Sequence, residues 1–213
     1  SSEQGFVAVS GDFAYVAASP TGVLVIDISE PSDPARVASY EPMGTALDVA
    51  VVGDYAYVSV LFGGQLMEAY LSAVDISVPW DPRGFGSSDS FATATSAQRL
   101  AVEGDLACIA DRGVGLVLFD ISKPSDRQKV AQYEATGEAV DVVILEGHAY
   151  VAERYAGKES GALRVVDVST PSDPRVEGGY TVHGEVNGLA IQGDYAYVAS
   201  AGGLEVVDVS TPS

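Results

Sequence analysis

Cysteine is almost missing from this chain. Cys108 is the only one in 213 residues, so no intramolecular disulfide can form and the fold must be held by its core. Two histidines, His148 and His183, and one cysteine cannot build a His/Cys metal cluster. Lysine is nearly as scarce, with Lys123, Lys129 and Lys158 alone among 11 basic residues against 30 acidic ones. A formal charge of −19 and a pI near 4.1 leave no basic patch to neutralise phosphates, which argues against a nucleic-acid partner. No apolar run approaches the ~18 residues of a membrane span. "SSEQGFVAVS" carries no basic segment followed by an apolar stretch, and so no leader pattern. The chain also lacks GxSxG, HExxH, a CxxC pair and a P-loop.

What it has in quantity is repetition. "DFAYVA" around Tyr15 returns as "DYAYVS" around Tyr57, "DLACIA" around Cys108, "GHAYVA" around Tyr150 and "DYAYVA" around Tyr197, at intervals of 42, 51, 42 and 47 residues. A second anchor, the Asp closing each apolar run, falls at Asp27, Asp75, Asp120, Asp167 and Asp208. Two anchors in five registers establish a repeat. Its segments, such as "LDVAVVG", "YAYVSV" and "GVLVIDIS", are rich in Val, Ile and Tyr and are separated by Gly-Asp or Gly-Gly, as hairpin strands are. A fourth strand follows the proline turn in "ARVASYE", "QKVAQYE" and "RVEGGYT". Four strands per ~42 residues is the count of one propeller blade. The reading is therefore all-β, a β-propeller of five sequential blade units in one domain over 1–213, with units near 5–41, 46–91, 97–134, 139–181 and 186–213. Seven residues before each Tyr anchor stand Ala8, Ala50, Ala101, Val143 and Ala190, small enough for first strands crowded about an axis.

The "VIDISEPSDP" stretch, with its copies "VDISVPWDP", "FDISKPSDR" and "VDVSTPSDP", reads as a structural corner. Asp or Ser can accept from backbone N–H groups just ahead, and Pro fixes φ for the turn. As a calcium loop it lacks alternating oxygen ligands and a closing Glu. The fifth unit reaches "DVSTPS" without a fourth strand, so its third strand, "GLEVVDVS", is expected to be an open edge. This chain is accordingly expected to be a piece of a longer propeller protein, or to take the missing strand from another chain and self-associate there.

The five runs "VLVID", "LSAVD", "LVLFD", "LRVVD" and "LEVVD", with the "DVS-x-P-x-x-P" tail and "G-x-Y-A-Y-V" hairpin, resemble the LVIVD repeat family. "ACI" in the third unit is the clearest departure. The resemblance implies a bacterial or archaeal β-propeller of secreted or surface-associated proteins. It carries no catalytic motif, so it assigns no catalytic residue.

Variation among the units concentrates in the loops joining strands two and three and in the blade connections, which share one face of a propeller. "LFGGQLMEAYL" (61–71), "ERYAGKESG" (153–161) and "GFGSSDSFATATSAQ" (84–98) are the long ones, while "ADRGVG" makes the same turn briefly and presents Arg112. Nine residues before each anchor lie Phe6, Asp48, Arg99, Asp141 and Gly188, a ring expected at the mouth of the central channel. Asp48, Arg99 and Asp141 there could clamp a polar ligand, or form an ion-pair ring that satisfies backbone groups. Arg154 and Tyr155 are residue types that favour recognition surfaces. His183, read into a blade connection, joins Asp48 and Asp141 as a weak catalytic candidate. His148 reads as turn packing, Cys108 as a core thiol, and Trp80 as cover for the opposite corner.

The chemistry points first to an extracellular or cell-surface interaction module binding a protein or glycan partner through the variable-loop face. The candidate binding residues are Asp48, Arg99, Asp141, Arg112, Arg154, Tyr155 and His183. A hydrolase or lyase acting on a polar substrate at the channel mouth is the alternative, and a structural segment of a larger surface protein the third. No cofactor, nucleic acid or membrane insertion is expected; a carboxylate calcium site is the one ion chemistry left open.

Overall fold

The structure, a computed structural model, describes residues 6–18, 21–63, 68–87, 91–92 and 97–211. Every regular element among them is a strand. The first blade holds β1 (Phe6–Ser10), β2 (Phe13–Ala18), β3 (Gly22–Asp27) and β4 (Ala35–Tyr40). The second holds β5 (Thr45–Val52), β6 (Tyr55–Phe62), β7 (Glu68–Asp75), β8 (Arg83–Ser87) and a short β9 (Phe91–Ala92). The third holds β10 (Ala97–Glu103), β11 (Leu106–Asp111), β12 (Gly115–Asp120) and β13 (Gln128–Tyr133). The fourth holds β14 (Glu138–Leu145), β15 (His148–Arg154), β16 (Ser160–Asp167) and β17 (Arg175–His183), and the fifth β18 (Val186–Gln192), β19 (Tyr195–Ser200) and β20 (Gly203–Asp208). Strands pair in sequence order except that β9 adds to β7, and the fifth sheet has three strands among the described residues.

The register explains the repeat. Ala8, Ala50, Ala101, Val143 and Ala190 lie directly opposite the anchors Tyr15, Tyr57, Cys108, Tyr150 and Tyr197. In β3 and β12 the opening glycines, Gly22 and Gly115, have φ of 81° and 92°, and a Cβ on either would run into the carbonyl of Tyr40 or Tyr133. The chain turns there because glycine alone accepts both constraints.

Each corner is built as its residues suggest. Asp27 Oδ1 accepts from the Ser29 amide (2.9 Å) and hydroxyl (2.6 Å), and Asp75 Oδ1 does the same with Ser77. Asp167 and Asp208 accept from the amides of Ser169 and Ser210. One step on, the amides of Asp33, Asp81, Asp126 and Asp173 donate to the carbonyls of Glu30, Val78, Lys123 and Thr170, closing a turn with Pro in its second position each time. Serine hydrogen bonds hold the Asp27, Asp75 and Asp167 carboxyls below the ordinary range, and the Ser210 amide leads the same effect at Asp208. A depressed folded pKa adds stability above the unfolded value, and that contribution is lost as pH falls through the folded value. Asp27→Asn should therefore lower Tm at neutral pH and show a flatter acid limb below about pH 4 than the parent. An unchanged acid limb would show that the corners do not titrate with folding.

The chain divides into two compact units, Ser1–Thr93 with Ile121–Gln128, and Ala94–Asp120 with Lys129–Ser213. In the first, Tyr15, Ala17, Val23 and Val25 of the first blade pack on Val49, Ala56, Val58 and Val74 of the second. In the second, Cys108, Ala110, Leu116 and Leu118 of the third blade meet Val142, Ile144, Ala149 and Val151 of the fourth. The fourth blade's Tyr150, Ala152, Leu163 and Val165 meet Leu189, Ile191, Ala196 and Val198 of the fifth. The same alternating positions make all three junctions, and each fully buried Val, Leu or Ile there contributes about 1.5–3 kcal/mol.

The long segments are only partly loops. The 61–71 stretch lengthens β6 and β7 to eight residues each. The longer β7 pairs with β9 inside the 84–98 connection, through Ala69 opposite Phe91. Residues 64–67, 88–90 and 93–96 of those stretches lie outside the described residues. Trp80 covers its corner only in part: its ring lies 6.4 Å from that of Phe13, yet it remains 67% exposed.

Candidate functional site

Four of the five inner strands carry a β-bulge just before the ring position. Pairing slips between Ala46 and Asp48, Ala97 and Arg99, Ala139 and Asp141, and Val186 and Gly188. A bulge re-aims the residue that follows it, which explains how carboxylates sit within strands otherwise apolar.

In the second unit this brings Arg99 and Asp141 together, with Nε 3.3 Å from Oδ1. Asp141 is buried, and both its oxygens are engaged. Oδ1 accepts from its neighbour Val142 N–H (2.9 Å), while Oδ2 accepts from Leu189 N–H (2.8 Å) in the next blade's inner strand. Burial pushes the Asp141 carboxyl up, against the downward pull of Arg99 and the two amides. Asp48, in the first unit, is likewise buried and accepts from Val49 N–H at 2.8 Å. Both aspartates thus serve backbone groups, the structural role open to them from sequence.

The loop-bearing edge of the fourth blade holds a different arrangement. Tyr155 O accepts from Lys158 N–H (3.1 Å), and Gly157 with φ of 73° closes that turn. Arg154 then lies between two glutamates. Its Nε donates to Glu138 (3.0 Å), one terminal nitrogen also reaches Glu138, and the other reaches Glu185 at 2.7 Å. Glu138 opens β14 and Glu185 precedes β18, so the first strands of two blades clamp one guanidinium. Arg112 approaches the same Glu138, its Nε 4.0 Å away, and that buried nitrogen has no hydrogen-bond acceptor among the described residues. The turn presenting Arg112 is fixed by buried Asp111, which accepts from Gly113 N–H (2.7 Å) and Val114 N–H (3.0 Å).

Behind this edge lies Glu153, fully buried. It accepts from Thr136 Oγ1 (2.7 Å) and Tyr133 Oη (3.2 Å), with Arg164 Nε 3.6 Å away. Arg164 donates in turn to Tyr155 Oη at 3.0 Å, so a buried carboxylate positions the tyrosine through an arginine. Lys158 Nζ stands 5.5 Å from the centre of the Tyr155 ring. Glu138, Arg154, Tyr155, Ala156, Gly157, Lys158, Glu159 and Glu185 line an open pocket of about 380 Å³.

His183 is not among those lining residues. It ends β17, and its exposed ring lies 3.4 Å from Glu205, whose carboxylate also accepts its amide. His148 is held between Glu146 O (3.1 Å) and Glu177 (3.0 Å), at the opposite end of β15 from Arg154. Cys108 is fully buried, and burial pushes its thiol pKa up. It should stay unlabelled by thiol reagents in the folded chain and react at the rate of global unfolding; fast labelling in native buffer would contradict its place in the core. Among the described residues no group of three or more His, Cys, Asp or Glu side chains could hold a metal ion.

The repeat model for "LVIVD repeat" matches residues 5–41, 43–89, 94–134, 136–182 and 183–213. The chain belongs to the LVIVD repeat family. Its fold class is a β-propeller of repeated blades. Solved structures agree at the level of the fold. The computationally designed Ika8 protein aligns with a TM-score of 0.70 at 12% identity, over 97% of this chain and 58% of its own. BamB from Moraxella catarrhalis aligns at 0.64 and 15%, over 95% and 57%. A functionally unknown protein from Desulfotomaculum acetoxidans DSM 771 aligns at 0.74 and 13%, over 95% and 64%. This LVIVD chain therefore spans less than two thirds of each of those structures. No curated protein matches it in sequence.

Proposed function

We propose that this LVIVD propeller is an extracellular or cell-surface binding module that takes a protein or glycan partner on the loop-bearing edge of its fourth blade. The observation that carries the reading is the pocket around Arg154 and Tyr155. A tyrosine fixed by Arg164 offers a flat face, and the glutamates and Lys158 around it offer donors and acceptors in both signs. Such mixed polar-aromatic sites suit sugar hydroxyls or a polar peptide. The pocket lining sets three glutamates, Glu138, Glu159 and Glu185, against Arg154 and Lys158. Arg154 already donates to Glu138 and Glu185, so the edge suits a neutral polar partner, rich in hydroxyls or amides, better than an anionic one. A hydrolase or lyase at the ring position gains no support from Asp141, whose oxygens already serve two amides and Arg99.

A glycan array and a partner pull-down with the intact chain test the reading. The double substitution Arg154→Ala with Tyr155→Ala should abolish captured binding, while Asp27→Asn in a corner should leave it intact. Binding that survives the double substitution would place the recognition surface elsewhere.

A further inference from the structure

We propose, on the footing that the fourth blade's loop-bearing edge is the binding surface, that its pocket takes a neutral glycan. One sugar ring lies on the face of Tyr155, in place of the Lys158 ammonium. Tyr155 offers a face and little else. Its Oη already accepts from Arg164 (3.0 Å) and lies 3.3 Å from Thr136 Oγ1. Its ring is seated against Gly137, where a Cβ would stand 2.6 Å from Cδ1 and 2.8 Å from Cε1. A ring held in this way loses little freedom on binding. Lys158 Nζ stands over it, 5.5 Å from the centre, on an exposed turn. That ammonium makes no hydrogen bond or ion pair among the described residues. An exposed cation–π contact is weak enough for a ligand to displace.

The polar groups left open select the class of ligand. Arg154 takes Oε2 of Glu138 and Oε1 of Glu185. Among the described residues this leaves Glu138 Oε1, Glu185 Oε2 and both carboxylate oxygens of Glu159 free to accept. Ionised carboxylates accept and never donate, so the partner must be rich in donors. Sugar hydroxyls supply them around a ring whose C–H face can cover an aromatic. An extended peptide presents as many carbonyls as amides, and its carbonyls would meet these carboxylates unpaired. Nor does the lining give a peptide side chain an apolar anchor, with only Ala156 beside the Tyr155 ring. With Arg112 Nε 4.0 Å from Glu138, the three glutamates face three cations, Arg112, Arg154 and Lys158. That balance gives neither an anion nor a cation a net attraction. A volume of about 380 Å³ falls within the range of small-molecule sites.

The 213-residue chain is applied to an array of neutral hexose and N-acetylhexosamine oligosaccharides, printed beside sialylated, sulfated and free-amine glycans and polar peptides. Neutral glycans should be captured in preference, and calorimetry with the strongest of them should separate the roles. Tyr155→Ala should weaken binding more than about tenfold. Tyr155→Phe should keep most of it, because the face remains and only the tie to Arg164 is lost. Glu159→Gln should cost about three- to tenfold, since a neutral acceptor replaces a charged one. Lys158→Ala changes only an exposed turn, and should tighten binding about two- to fivefold by uncovering the ring. A loss of about tenfold in Lys158→Ala would overturn the proposal, because the ammonium would then be a ligand contact. So would capture of no neutral glycan. A preference for anionic, amine-bearing or peptide probes, lost in Tyr155→Ala, would overturn it too while keeping the edge as the binding surface. Capture that Tyr155→Ala leaves unchanged would remove the edge itself.

Discussion

Arg127→Met should cost the folded chain about 2–4 kcal/mol, read as a shift in the denaturant midpoint at unchanged slope. Arg127 occupies the place that Pro34, Pro82 and Pro174 take in the other corners. It is 2% exposed, and its guanidinium donates to Leu71 O (3.2 Å), Gly86 O (2.7 Å) and Pro124 O, all within the first unit. Burial lowers its pKa, opposed by nearby tyrosines and Asp126, so the charge is held where water does not reach it well. Methionine keeps the apolar stem but supplies no donor, and three carbonyls then lose a charged donor in a dry site. Lysine should recover only part of the loss, because a point charge cannot address three acceptors spread around a planar fork. A loss under about 1 kcal/mol in the methionine variant would mean that water replaces the guanidinium at these carbonyls.

That residue shows which features could be read from sequence and which could not. The break in the "SDP" pattern at Arg127 is visible in the chain, but its burial depends on Leu71, 56 positions away. The strands and corners are legible because their causes are local: Val, Ile and Tyr runs, Gly at turns, and an Asp whose acceptor lies two residues from its donor. The bulges are not. Leu47, Gln98, Val140 and Asn187 share no residue type that would reveal an unpaired position, so the ring residues follow a register slip that spacing alone conceals. The candidate site divides in the same way. The insertion at 153–161 points to Arg154 and Tyr155. The glutamates that clamp Arg154 lie 16 and 31 residues from it, and Glu153 looks like another loop charge until β15 turns it inward. His183 reads as part of a blade connection, but the strand legible as "RVEGGYT" runs two residues further, so that His183 ends β17.

Asp141→Ala should cost about 3 kcal/mol, because it strands two amides and one guanidinium at once. Val142 N–H and Leu189 N–H lose their carboxylate acceptor, and with the second of these goes a tie between β14 and β18. Arg99, 31% exposed along its side chain, can turn to water and recover part of its loss. Asp141→Asn retains the shape and one acceptor oxygen, so it should cost less, and its comparison with the parent isolates a pH effect. The folded carboxyl titrates above its ordinary value because burial outweighs Arg99 and the amides. Between the unfolded and folded values the folded chain therefore holds more proton than the unfolded one, and this group's contribution falls as pH rises through that window. The corner aspartates have the opposite sign and are common to both proteins, so they cancel in the difference. The parent's advantage over Asp141→Asn should accordingly grow as pH is lowered from neutrality through the carboxylate range, measured as the difference in unfolding free energy at each pH. A difference that shrinks on acidification would show that Arg99 and the two amides dominate, with the ionised carboxylate favoured in the folded chain.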